Sequence, residues 1–342
     1  MPLNRRHLLA LGGGAVLVAG AAALLLPRKD AAPPPAESAL AFPTLAGRLG
    51  AAQRIELRQG AQALTLQRGP GDAWLLLEKG GYPARGERVR ELLVALTELR
   101  LSERRTADPA ALSRLGLDEP GPGSNAVLLR VLDGAGAPLA SLVIGHRRTR
   151  TAGGGAGGSA GAMAESAFVR RPGESQSWLA EGRLPVDADP QLWIEREIAN
   201  LPEERVRRVI GVRDGRTVEL LREEGPDGRL RIVLPGDAPP ADEISLDEVG
   251  RALEGLTLLD VRAEAGAPGQ PAGEGRFILT DNLTVTARLR QENGAVWMTL
   301  SASGDEEAAR LNARWRGWSY QVGAWKLPAF APSLDTLRKR EG

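Results

Sequence analysis

The sequence predicts an α+β protein with a single N-terminal transmembrane helix, followed by two similar β-meander–α–β-meander units with mainly antiparallel sheets. Three observations support this class. Residues 8–26 form a run of 19 positions without a polar side chain. Beyond it, short segments alternate apolar and polar residues, as half-buried strands do, and a helical period interrupts them. The same order of strands and helix then occurs a second time along the chain.

The apolar run directly follows Arg5, Arg6 and His7. As a helix it spans about 28 Å, close to the roughly 30 Å hydrocarbon core of a bilayer. We expect a signal anchor retained in the inner (cytoplasmic) membrane, with its basic end in the cytoplasm and the later domains periplasmic. A cleaved signal peptide with small residues at Ala21–Ala23, or a twin-arginine export signal, are the alternatives. The predicted anchor residues are Leu8, Leu11, Val16, Leu17, Val18, Leu24, Leu25 and Leu26.

The chain after the anchor divides by composition and periodicity. Three consecutive prolines, Pro33–Pro35, favour an extended tether. The predicted segments are 1–27 (cytoplasmic tip and anchor), 28–46 (Pro/Ala-rich tether), 47–190 (first α+β unit), 191–202 (connecting helix), 203–332 (second unit) and 333–342 (charged tail). Each unit is long enough to bury its own core.

The first unit contains two sets of strands separated by a helix. Val89, Leu92 and Leu96 fall on one face of a 3.6-residue period, together with Leu93 and Leu99, and therefore predict the helix. The predicted strands are 54–58, 63–67, 73–77, 126–132, 139–144, 168–170 and 177–179.

The second unit repeats this order. Ser245 and Glu248 have the spacing of a capping box, and Val249, Leu253 and Leu256 form the apolar face of the helix that follows. Residues 193–198 predict a short amphipathic helix between the units, stopped at Pro202. The predicted strands are 207–212, 217–221, 230–234, 276–279, 284–289, 296–300, 319–322 and 324–327.

Composition restricts the chemistry. The 44 basic and 43 acidic residues nearly cancel and are interspersed, so we expect no nucleic-acid partner. The chain has no cysteine, which excludes thiol catalysis, iron–sulfur clusters and zinc–thiolate sites. His146 is the one histidine outside the N-terminal segment, and a lone imidazole predicts a polar loop residue rather than a base. We therefore expect no enzyme activity, no cofactor and no metal site.

Four further features of the sequence are candidate sites. Gly153–Ser159 lacks the Lys of a phosphate-binding loop and predicts a surface loop. The pairs Asp118–Glu119 and Glu306–Glu307 are adjacent residues, unlike the two converging carboxylates of glycosidases, and Glu306–Glu307 suits the first turn of a helix. Trp74, Trp178 and Trp297 lie in predicted strands, where aromatic packing is ordinary. Trp315, Trp318, Tyr320 and Trp325 cluster near the C-terminus and form a possible interaction surface for sugars or peptides, with packing in the core as the alternative.

Several stretches together resemble one bacterial family, domain of unknown function 4340. They are Phe42-Pro43-Thr44-Leu45, Gly80-Gly81-Tyr82-Pro83-Ala84, the block Thr106–Asp118, Phe168-Val169-Arg170, Ser177-Trp178-Leu179, Leu311-Asn312-Ala313-Arg314 and Gly317-Trp318-Ser319-Tyr320. In the block, Asp108 is expected to cap a turn, Pro109 to start it and Gly116 to end it. The Gly-rich insertion at 153–161 departs from the family pattern.

The resemblance implies a single-pass envelope protein, often encoded beside ATP-binding-cassette (ABC) export systems of the gliding-motility type, with no assigned catalytic residue. We therefore expect a non-catalytic accessory subunit of a membrane transport assembly. Its expected partners are the lipid bilayer and proteins of the transport complex, and any small-molecule ligand is left open. The alternatives are an envelope glycan- or peptide-binding module or hydrolase that uses the C-terminal aromatic cluster, and a scaffold that pairs through sheet edges.

Overall fold

The computed structural model describes residues 38–150, 164–225, 228–265 and 269–339. The predicted anchor at 8–26, most of the tether, and the Gly-rich insertion at 153–161 lie outside the described residues. Among the residues that are described, no helix has both the length and the apolar character needed to cross a membrane.

The described chain contains two large antiparallel sheets, a two-stranded sheet and short helices. The α-helices are α1 (Gly86–Glu98), α2 (Glu243–Gly250), α3 (Glu306–Trp315), α4 (Leu327–Phe330) and α5 (Leu334–Leu337). The 3₁₀ helices are Ala46–Ala51, Pro70–Asp72, Leu77–Lys79, Pro109–Ala111, Ser113–Leu115, Pro190–Leu192, Glu203–Arg205 and Ala324–Lys326.

The first sheet has ten strands in the order β1-β6-β10-β9-β8-β7-β2-β3-β4-β5, with antiparallel neighbours throughout. Its strands are β1 (Ala39–Leu40), β2 (Arg54–Gln59), β3 (Gln62–Arg68), β4 (Trp74–Leu76), β5 (Tyr82–Pro83), β6 (Arg100–Arg104), β7 (Val127–Leu132), β8 (Pro138–Arg150), β9 (Ala164–Arg170) and β10 (Ser177–Glu181).

The second sheet has eight strands in the order β16-β20-β19-β18-β17-β12-β13-β14, and β11 pairs with β15 in the small sheet. The strands are β11 (Glu197–Ala199), β12 (Val206–Arg213), β13 (Arg216–Arg222), β14 (Leu230–Leu234), β15 (Leu256–Thr257), β16 (Asp260–Ala263), β17 (Gln270–Leu279), β18 (Thr284–Glu292), β19 (Ala295–Ser303) and β20 (Trp318–Val322). All neighbours are again antiparallel. The prediction of a mixed α and β protein with mainly antiparallel sheets is confirmed.

The two large sheets share one strand order. Reading β6-β10-β9-β8-β7-β2-β3-β4 in the first sheet gives, strand for strand, β16-β20-β19-β18-β17-β12-β13-β14 in the second. Helices α1 and α2 occupy the same place in this order, between the third and fourth of the shared strands along the chain. Each helix is preceded by an isolated antiparallel bridge, at Ala84 before α1 and at Ala241 before α2. The sequence separation between Ala84 and Ala241 equals the separation between the N-cap residues of the two helices, Arg85 and Asp242.

One apolar core continues through both halves of the described chain. In the first half, Val89 and Leu92 of α1 are fully buried in the same cluster as Ile55 of β2. In the second half, Phe277 of β17 and Val285 of β18 belong to that cluster as well. The apolar face predicted for α1 is therefore the face that it buries.

The helix predicted to connect the units at 191–202 is wrong. The chain there forms the 3₁₀ helix Pro190–Leu192, then the bridge at Ile194, then strand β11. Backbone pairing explains the difference, because Arg85 N donates to Trp193 O and Glu195 N donates to Pro83 O. These bonds hold the segment extended, and a local amphipathic pattern of six residues is too short to compete with them.

Four other sequence-based assignments are corrected. The capping box at Ser245 is wrong in position, because α2 starts after Asp242, whose carboxylate accepts from Ser245 N. Residues 324–327, predicted as a strand, form the Ala324–Lys326 3₁₀ helix and the start of α4. The tether ends earlier than residue 46, since Phe42 and Leu45 are buried. The predicted charged tail likewise contains α5, whose Leu337 is buried.

Candidate functional site

Most of the predicted C-terminal aromatic surface lies inside the protein. Trp315 and Tyr320 are each 1% exposed. The indole Nε1 of Trp315, the last residue of α3, donates to the carbonyl of Ile198 at 2.9 Å. Trp318 is half-buried at the start of β20. For these three residues, packing in the core is the correct interpretation, and they offer no open stacking surface.

Tyr82 joins the two halves at these aromatics. Its ring meets Trp318 edge to face, with centroids 5.1 Å apart, and meets Tyr320 in the same geometry at 6.3 Å. Burial raises the pKa of Tyr82 to about 12 and also raises the pKa of Tyr320. Beside them, Lys79 binds Asp260 at 2.6 Å. Sequence reasoning placed Tyr82 in a family motif, and it missed this joint because no local pattern pairs residues so distant in the chain.

Trp325 differs from the other three aromatics, because its side chain is 71% exposed. Its indole lies directly against Gly323, where an added Cβ would be 2.3 Å from the ring. Glycine is therefore required at this position if the ring is to stay in place. The exposed indole therefore lies over the Gly323 backbone at the surface.

A groove of about 450 Å³ opens between α2 and the segment that contains Trp325. Ile244, the second residue of α2, lines the same groove and is also 71% exposed. The lining residues are Ile244, Asp247, Glu248, Arg251, Trp325, Lys326 and Ala329. We call this feature the Ile244–Trp325 groove. Sequence reasoning missed Ile244, although its position off the buried face of α2 was a usable signal.

Some charged side chains of the groove have an ion-pair partner and others have none. Arg251 makes two hydrogen bonds to Glu203, at 3.1 and 3.0 Å, and these bonds raise the pKa of Arg251. Within the described chain, Asp247, Glu248 and Lys326 make no ion pair. Asp247 and Glu248 on α2, and Lys326 on the other segment, therefore have no ion-pair partner, although Asp247 lies near enough to Arg251 to help raise the pKa of Arg251.

A second groove, of about 640 Å³, lies at the end of the second sheet. Its charged lining includes Arg213, Arg288, Arg290, Glu264 and Glu274. Arg288 already binds Glu274 at 3.1 Å, so part of its charge is neutralised within the wall. This mixture of charges defines no single ligand chemistry.

The block Thr106–Asp118 forms a structural cover on the first sheet. Asp108 accepts from Ala110 N at 3.0 Å, and Gly116 ends the second 3₁₀ helix in a left-handed conformation, as expected. A Cβ at Gly145 would lie 2.2 Å from Leu115 O, so the block rests directly on β8. Under it, Leu117 packs in a small separate apolar cluster of the sheet.

The remaining candidates are also held in structural contacts. The His146 ring lies against Gly116, where a Cβ would be 2.7 Å from it. Glu119 binds the buried Arg170 at 2.6 Å. Glu307 lies in the first turn of α3, as predicted, and its hydrogen bonds with Arg205 lower the pKa of Glu307. In the part of the chain that the structure describes, no group of three or more His, Asp or Glu residues is placed to hold a metal ion.

Comparison with known families identifies the class of the protein. Residues 74–275 match the model of a Domain of unknown function (DUF4340). The match covers more than half of the chain, from β4 to β17, and the protein therefore belongs to this family. It includes Tyr82, the Thr106–Asp118 block and α2. No curated protein matches the chain, and no solved structure matches it.

Proposed function

We propose that the protein is a membrane-anchored, extracytoplasmic accessory subunit of an ABC-type transport or gliding-type export assembly, and that it acts by binding other proteins rather than by catalysis. The apolar run 8–26, preceded by Arg5 and Arg6 and followed by a proline-rich tether, supports the anchor. The family resemblance supports the transport partner. The folded halves would then stand in the periplasm.

The Ile244–Trp325 groove is the observation that carries the interaction role. Two large apolar side chains that are each 71% exposed line one concavity. Isolated exposed apolar residues are ordinary on protein surfaces, whereas tryptophan in a groove is enriched among residues that dominate binding energy. Because Gly323 has no side chain, the indole can lie over the backbone there while most of the side chain stays exposed.

We also propose that the halves are tandem copies of one β-meander–α–β-meander unit. The shared strand order of the two large sheets supports this, as do the matching bridges at Ala84 and Ala241. Once the bridges are aligned, Val89, Leu92 and Leu96 of α1 match Leu246, Val249 and Leu253.

Purification of the full-length protein from its own membranes in mild detergent tests the proposed function. We expect an ATPase and membrane-spanning subunits of one transporter to co-purify. We expect recovery to fall in a Trp325→Ala variant and to stay unchanged in Val94→Ala, which alters a 41% exposed residue of α1. Failure of any transporter subunit to co-purify would contradict the proposal.

The anchor has its own test. Leu17→Lys places a charge at the centre of the apolar run, at an insertion cost of about 3 kcal/mol. We expect the variant to move from the alkali-resistant membrane pellet to the soluble fraction, and Ala32→Lys in the tether to stay in the pellet. A soluble parent protein would exclude the retained anchor in favour of a cleaved signal.

A glycan- or peptide-binding module is the second candidate, and the exposed indole of Trp325 favours it. A flat aromatic ring at the edge of a groove can stack on a sugar face or pack against a side chain. Binding of purified peptidoglycan that is lost in Trp325→Ala, with an unchanged melting temperature, would support this role. Trp318→Ala does not serve as the test, because Trp318 packs against Tyr82.

A further inference from the structure

We propose that the Ile244–Trp325 groove binds a basic amphipathic segment of a protein partner. An apolar side chain of that segment fits between Ile244 and Trp325, and a lysine or arginine next to it faces Asp247 and Glu248. This inference rests on the proposed function as a protein-binding subunit and adds to it the place of binding and the chemistry of the partner.

Ile244 and Trp325 supply the large apolar side chains of the groove. Ile244 and Trp325 expose most of their side chains to water in a groove of about 450 Å³. A side chain inserted between them removes apolar surface from water on both residues at once. The Trp325 ring lies over the Gly323 backbone, and 71% of the side chain stays open to a partner.

The charged side chains beside these apolar residues indicate which partner fits. Arg251 is occupied by Glu203 and does not present a free charge to a ligand. Asp247 and Glu248 lie on the same helix as Ile244 and make no ion pair within the described residues. A cationic side chain beside the apolar anchor therefore gains two carboxylate partners. Lys326 lies in the same lining, so the charges outside an ion pair are two negative and one positive, which favours a cationic segment over an anionic surface.

The first half of the protein shows that the fold does not require this surface. Glu87 is the second residue of α1 and is exposed, whereas Ile244 is the second residue of α2. The position thus accepts a charged side chain in one half and bears an exposed apolar one in the other. The apolar side chain at 244 is explained by a contact outside the described chain.

Photocrosslinking in native membranes tests the inference with the full chain. p-Benzoylphenylalanine replaces Ile244, with Glu87→p-benzoylphenylalanine as the matched control, and the crosslinked peptide is sequenced by mass spectrometry. We expect an adduct from position 244 alone, on a segment in which apolar residues alternate with lysine or arginine. A roughly tenfold lower yield is expected with Trp325→Ala, as for a dominant contact residue.

Charge variants separate a protein partner from a membrane. Asp247→Lys with Glu248→Lys should lower the yield at least as much as Trp325→Ala, and Lys326→Glu should leave it unchanged or raise it. Each variant changes exposed or half-exposed residues, so the melting temperature should stay within a few degrees of the parent. An adduct on lipid, on a second copy of this chain or on an acidic segment overturns the inference, and so does the absence of an adduct.

The inference and the proposed function can fail separately. If transporter subunits co-purify with the parent protein and also with Trp325→Ala and the double charge reversal, the groove is not the binding site and the proposed function stands. If no transporter subunit co-purifies with the parent, while a basic segment of another protein is crosslinked at position 244, the function is wrong and the groove is still a protein-binding site.

Discussion

Removal of the Tyr82 ring should weaken the joint between the two halves more than any exposed substitution. Tyr82 is 3% exposed, and its ring contacts Trp318 and Tyr320 edge to face. Truncation of a buried aromatic side chain to alanine costs about 3–5 kcal/mol. The two aromatic pairs contribute roughly 0.5–1.5 kcal/mol each beyond their buried area. We therefore expect Tyr82→Ala to lower the free energy of unfolding by about 4 kcal/mol.

Urea unfolding of the full chain in detergent, followed by far-ultraviolet circular dichroism and tryptophan fluorescence, measures this change. The parent protein should show coincident transitions, because one apolar core runs through both halves. In Tyr82→Ala the two probes should separate, since most tryptophans lie in the second half. Tyr82→Leu keeps much of the apolar volume and should lose about half as much stability.

Trp325→Ala is the matched control, because it also removes a large aromatic side chain, but one that is 71% exposed. Its expected effect is about 0.5 kcal/mol or less. If Tyr82→Ala shifted the urea midpoint no further than Trp325→Ala, the inference that Tyr82 couples the halves would be refuted.

Three further predictions concern Tyr82, Gly275 and Glu307. Because burial raises the pKa of Tyr82 from 10.0 to about 12, its contribution to stability is fully present below pH 10 and is lost as the pH rises towards 12; Tyr82→Phe should flatten the alkaline part of a stability–pH curve. Gly275→Ala places a Cβ 1.8 Å from the last carbonyl of α4 and should lower the melting temperature by about 10 °C, whereas Gly86→Ala, with open space around it, should leave it unchanged or raise it. Glu307→Gln removes the carboxylate that binds Arg205 and should destabilise by about 1 kcal/mol at neutral pH; since the pKa of Glu307 is lowered in the fold, the difference from the parent should vanish as the pH falls below about 4, which thermal melts across pH can measure.

The sequence predicts well those helices and strands whose own residue pattern is long enough to identify them. Helix α1 has 13 residues and three buried positions on one face, and both the helix and its face were predicted. The long strands alternate apolar and polar residues because one face of each is buried. Strands β1, β5, β6, β11, β15 and β16 were missed, since each has five residues or fewer and is defined by its pairing partner rather than by a pattern of its own.

The N-terminus of α2 shows why local signals can select the wrong cap. Both Asp242 and Ser245 are residue types that favour the N-cap position, and Ser245 also has Glu248 at the capping-box spacing. The bridge between Ala241 and Arg338 holds the chain extended up to Asp242, so the helix starts there. That bridge joins residues almost a hundred positions apart, which no local pattern can express.

The aromatic cluster failed as a single prediction because its four members face different surroundings. In β20, Trp318 and Tyr320 point to the side on which Tyr82 arrives from the first half. Trp325 follows a glycine that admits its ring on the surface. Sequence proximity grouped these residues, whereas their accessibility depends on a chain segment more than 200 residues away. Only the geometry of the folded chain separates the joint from the exposed side chain.

The comparison of the two halves gives the strongest reason to place an interaction at the groove. If both halves come from one unit, a requirement of the fold acts on both at equivalent positions, as it does at Leu92 and Val249, which are both buried. Glu87 and Ile244 are equivalent in the same alignment, yet only one of them is apolar, and both are exposed. Exposure of isoleucine gains nothing for folding. The proposed partner contact accounts for this difference, because the second half makes it and the first half does not.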